Sequence, residues 1–92
     1  MRVRFNHTYY RVSFERVRGD PDAWGELDEK GKVIRLNPEM RDRPDKLLGT
    51  LIHEGLHAEF PWLDEDAVLQ AGYNLEKLLL RLLSVEYLDD GG

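Results

Sequence analysis

The stretch "LIHEGLHAEF" sets His53 and His57 four residues apart, with Glu54 beside the first. On a helix this spacing brings both imidazoles to one face, where they can meet at a single point. The whole chain has only three histidines, so their placement is not compositional background. Two imidazoles one turn apart fill two corners of a zinc tetrahedron, and the glutamate beside the first can lean over the open, water-occupied corner. The chemistry this pattern serves is hydrolysis. Zinc acidifies the bound water and polarises a substrate carbonyl, and Glu54 takes the water's proton. A lone histidine is more often a solvated or half-buried side chain than a ligand. The His-Glu-x-x-His pattern on a helix reverses that balance.

A catalytic zinc site keeps three protein ligands and one open position. The long signature H-E-x-x-H-x-x-G-x-x-H takes a third histidine, but Phe60 and Leu63 stand at its glycine and final histidine positions. His7, far upstream, is the remaining histidine, and there is no cysteine, which removes sulfur ligands, disulfides and thiolate catalysis. A carboxylate is therefore expected. "WLDED" offers three after Pro61 turns the chain: Glu65 first, with Asp66 and Asp64 behind it. Helix capping alone would account for Asp64. Glu59, two residues after His57, points away on a helix and ranks last.

The elements that must position these groups are readable from period. Val3 and Phe5, then Tyr10, Val12 and Phe14, alternate with polar residues, which predicts a hairpin turning at Asn6 and His7. "WGELD" and "KVIRLN" predict a second hairpin with Gly31 supplying the turn and Ile34 and Leu36 inward. "NPEMRDRP" reads as a polar connector. At Pro44 the period becomes helical: Pro44 suits a first turn, Asp45 complements the helix dipole, and Leu48, Leu51, Ile52 and Leu56 recur up to about Phe60. Asp64 is the expected N-cap of a second helix running to about Leu83. The predicted fold is a single α+β domain over residues 1–92. Its small antiparallel sheet of two β-hairpins, with Tyr10, Val12, Phe14, Ile34 and Leu36 on the inner face, is packed on one side by both helices.

Composition sets the outer bounds. With 41% hydrophobic and 34% charged residues and a net charge of −5, the chain reads as a globular protein without the basic face of a nucleic-acid binder. The arginines near the N-terminus read as solvated strand faces. The opening "MRVRFNHTYY" lacks a signal peptide's apolar run and no segment approaches a membrane span, so a cytoplasmic protein is expected, with no membrane partner.

The residues "TLIHEGLHAEFPWLDEDAV", preceded by "WGELDEKGKVIRLN", resemble the minimal gluzincins, small zincin metallopeptidases of bacteria and tailed phages. The likeness covers roughly residues 10–83 and is specific over 50–68. It implies an antiparallel sheet, an active-site helix and a C-terminal glutamate helix. It also implies His53, His57 and Glu65 as Zn2+ ligands, Glu54 as general base, and a sheet edge that binds an extended peptide by strand addition; "WGELD" is the candidate edge. In larger gluzincins an acidic residue one turn past the ligand glutamate orients a zinc histidine; here Val68 and Leu69 fill that turn, leaving Gln70, Asn74 or a backbone carbonyl for the task. Their downstream oxyanion-stabilising histidine or tyrosine has only Tyr73 and Tyr87 as counterparts. The function expected is a zinc metallopeptidase acting on peptides or proteins, in the cytoplasm of a bacterium or a phage-infected host, as a monomer or weak homodimer. The competing readings are a non-catalytic zinc-stabilised protein-binding module and a latent peptidase that needs a partner. An intact Glu54 favours the enzyme.

Overall fold

A computed structural model describes residues 1–83. Strands β1 (Arg2–Phe5) and β2 (Thr8–Phe14) form a hairpin whose two turn residues, Asn6 and His7, both have positive φ, 47° and 63°. Such a two-residue turn matches the twist of the flanking strands. Strands β3 (Gly25–Asp28) and β4 (Val33–Leu36) form the second hairpin. Its turn is closed by the Gly31 N–H donating to Asp28 Oδ1 at 2.8 Å, and the left-handed residue is Lys32 (φ 56°), not Gly31.

The strand order is β1-β2-β4-β3, and β2 runs parallel to β4. The sheet is therefore mixed, which corrects the expectation of an antiparallel one. The connection after β2 carries the chain past β4 to the far edge, so β4 is laid down last, between β2 and β3. Being central, β4 is buried throughout. Its register pairs Val12 with Ile34 and Phe14 with Leu36. Ile34 and Leu36 are 1% exposed while Phe14 is half-buried. Each fully buried aliphatic side chain contributes about 1.5–3 kcal/mol.

The expected connector contains a short 3-10 helix, Pro38–Asp42, capped by the Asn37 side chain and anchored by buried Met40. Helix α1 (Pro44–Glu59) follows, with Pro44 in its first turn, and packs on the sheet across β3 and β4. Gly25 permits this close approach: a Cβ there would lie 2.7 Å from the Thr50 methyl group. Asp64 caps α2 (Glu65–Leu83) by accepting from the Ala67 N–H at 2.7 Å. Helix α2 packs chiefly on α1, through fully buried Val68, rather than on the sheet. The expectation that both helices cover the sheet is corrected: α1 is a middle layer between sheet and α2. Among the described residues no helix is long and apolar enough to cross a membrane.

Candidate metal centre

Helix α1 delivers His53 and His57 on one face because four residues exceed one turn only slightly. Their rings lie edge to face, with centroids 4.8 Å apart. The tight turn after Phe60 and the Asp64 cap begin α2 directly opposite, so its first residue, Glu65, reaches both. Glu65 Oε1 is 3.0 Å from His53 Nε2 and Oε2 is 2.9 Å from His57 Nε2. The three side chains offer one ligand atom each within 4.8 Å of one another, and the group could hold a metal ion.

The donor chemistry fits zinc. Two imidazole nitrogens and one carboxylate oxygen are a zinc ligand set that leaves a fourth position open, and zinc–ligand bonds of about 2.0–2.2 Å place tetrahedral donors a little over 3 Å apart. The histidines are half-buried and Glu65 is exposed, so the site opens toward solvent on the α2 side.

Glu54, next to His53 in the chain, is the buried member of the pattern. It is 8% exposed, none of the ion pairs among the described residues involves it, and it lines a cleft of about 480 Å³ together with His53, Thr50 and Trp24. Burial raises the pKa of its carboxyl; charge on His53 and His57 works against that rise, while Glu65 and Glu26 add to it. A carboxylate so placed is a stronger proton acceptor than one in water.

The other candidates fall elsewhere. Asp64 is engaged as the α2 cap, and Asp66 is exposed outside the three-residue group. Glu59 accepts from the Asn6 N–H at 2.6 Å, tying the first hairpin to the end of α1. His7 sits in the hairpin turn, 3.4 Å from an Arg4 nitrogen. Tyr73 is exposed beside Lys77 and is not among the cleft-lining residues; Tyr87 lies outside the described residues. Gln70 and Asn74 are both exposed.

Sequence reasoning missed a second charged cluster on the far face of the sheet. Arg35, 4% exposed, donates from Nε to Glu15 at 3.0 Å, from one terminal nitrogen to Glu26 at 2.9 Å and from the other to Asp28 at 3.0 Å. Hydrogen bonding to Arg11, then to Ser13 and Arg35, overcomes desolvation and holds the Glu15 carboxyl down at about 2. For Glu26 desolvation is the largest influence, but the Arg18 and Gly19 N–H groups and Arg35 together lower its pKa. Asp28 is lowered first by the Gly31 N–H and then by Arg35. The available signal was the pairing of Glu26 and Asp28, two residues apart on one strand face.

Compared with known proteins, the chain matches no family model, no curated protein and no solved structure.

Proposed function

We propose that the protein is a zinc-dependent metallopeptidase of gluzincin type, with His53, His57 and Glu65 as ligands and Glu54 as general base. The observation that carries this reading is the convergence of His53, His57 and Glu65 beside a buried carboxylate that has no ion-pair partner among the described residues and lines a cleft. A metal held only for structure has no use for Glu54, and burial of an unpaired carboxylate is costly. Bound zinc would supply Lewis-acid polarisation of the scissile carbonyl. The chain's own residues supply the rest. Glu54 accepts a proton from the attacking water and can return it to the leaving amine. Strand β3, an edge strand bordering the cleft through Gly25, offers unpaired backbone groups that can align an extended peptide.

The test is reconstitution with zinc, elemental analysis and digestion of an unfolded protein substrate. The reading expects one zinc per chain, cleavage abolished by a chelator and cleavage restored by added zinc. Stoichiometric zinc without any cleavage would favour the binding-module reading, and failure to retain zinc would defeat both.

A further inference from the structure

The cleft beside Glu54 has a charge of its own. Asp22, Asp45, Glu54 and Glu76 line it, against the single ammonium of Lys46, and the Lys46 Nζ is drawn over the Trp24 ring at 4.9 Å. Asp45 has a cation nearby, Arg43 at 3.5 Å. Glu76 has none: no ion pair among the described residues involves it. It is half-buried, and α1 makes room for it. A Cβ at Gly49 would lie 2.5 Å from Glu76 Oε2, so only a glycine at that position of α1 leaves the carboxylate where it is. Gly49 precedes His53 by four residues, about 6 Å along the helix axis. The same cleft contains Glu54, nine-tenths buried and without an ion-pair partner among the described residues, so two carboxylates from different helices line one space. Its volume, about 480 Å³, is in the range of ligand pockets.

We propose that this cleft is a specificity pocket for a lysine or arginine side chain next to the scissile bond, with Glu76 as the selecting carboxylate. The proposal rests on the peptidase reading for its link to cleavage. A residue whose carbonyl sits at the His53–His57–Glu65 centre directs a long side chain one helical turn along α1. Its methylene stem lies along Thr50 and Leu69, and its cationic head meets the half-buried Glu76. A charge-assisted contact of this kind is stronger than a neutral one. A neutral or acidic side chain leaves the four lining carboxylates with Lys46 as the one ammonium among the cleft-lining residues.

The test uses full-length zinc-loaded protein and a matched set of short peptides that differ at one position: Arg, Lys, Gln or Glu. The wild type is expected to cleave the Arg and Lys peptides at least about tenfold more efficiently than the Gln peptide, and the Glu peptide least. Glu76→Gln should erase the preference, bringing the Arg and Lys peptides to the efficiency of the Gln peptide measured in the same variant. Gly49→Ala, which displaces Glu76 without removing charge, should weaken the preference in the same direction. A preference that survives Glu76→Gln, or a wild type that favours Gln or Glu, overturns the proposal. If no peptide is cleaved, the peptidase reading fails, and calorimetric binding of the same peptides decides the pocket independently. Tighter binding of the Arg peptide that is lost in Glu76→Gln upholds it, and equal affinities overturn it.

Discussion

Two charged side chains are buried on opposite sides of this small protein, and they are treated in opposite ways. Arg35, on the outer face of β4, spends its donors on three carboxylates. Glu54, on α1, has no ion-pair partner among the described residues and lines a cleft. The pKa directions follow: Glu15, Glu26 and Asp28 are all lowered, whereas Glu54 is raised. A buried charge kept for structure is satisfied by the protein itself, since an unpaired one destabilises the fold. A buried charge kept for chemistry is left for a substrate, water or cation to satisfy.

The contrast can be broken or sharpened by substitution. The largest effect is expected at the proposed ligand that joins the helices. Glu65→Ala should weaken zinc binding by more than the roughly 10–100-fold typical of losing an outer-shell partner, and remove most of the zinc-dependent rise in melting temperature. If Asp66→Ala does this and Glu65→Ala does not, the third ligand is the neighbouring residue.

Next is Arg35→Gln, which removes the guanidinium that three carboxylates share and should lower the melting temperature at pH 7 well beyond a typical surface change. The sign in acid follows from the lowered pKa values. Carboxylates depressed in the folded state stabilise it above their ordinary titration range, and this is lost as pH falls from about 4.5 toward about 2. Acid titration of the wild type should show that loss, and Arg35→Gln should reduce it without removing it, because Arg11, Ser13 and the Arg18, Gly19 and Gly31 N–H groups still hold the three carboxylates.

Smaller, and opposite in sign, is the effect of Glu54→Gln on the metal-free protein. The pKa of Glu54 is raised, so its contribution is fully present below the ordinary glutamate range and is lost as pH rises through the folded value. Removing the charge should therefore stabilise the metal-free fold by about 1 kcal/mol at pH 7, measured by denaturant unfolding in a chelator. A clear loss of stability would mean that Glu54 is a satisfied structural charge like Arg35. Of similar size but destabilising is Asp64→Ala, about 1 kcal/mol for a lost N-cap, read as a lower denaturation midpoint.

Much of this could be read from local pattern. Pro44, Pro61 and Asp64 mark the helix ends, and alternation around Val12 and Ile34 gives the inner face, because these signals act over a few residues. Strand order is a different matter. Alternation says which side a residue faces but not which strand lies beside it, so the parallel β2–β4 pairing stayed hidden. Arg35 was hidden for a related reason: an arginine in an alternating strand reads as solvent-facing until Glu15, 20 residues earlier, is folded against it. The candidate site was legible where one helix carries the pattern, at His53, Glu54 and His57. The acidic cleft was not, since Glu76 and Gly49 meet only when α2 packs back on α1.

The most direct test of the division between a satisfied and a waiting charge is peptide hydrolysis by wild type and Glu54→Gln at equal zinc occupancy. The account predicts a rate loss of at least about a hundredfold, the scale of a lost general base, with zinc affinity nearly unchanged. Equal rates in the two proteins would contradict it.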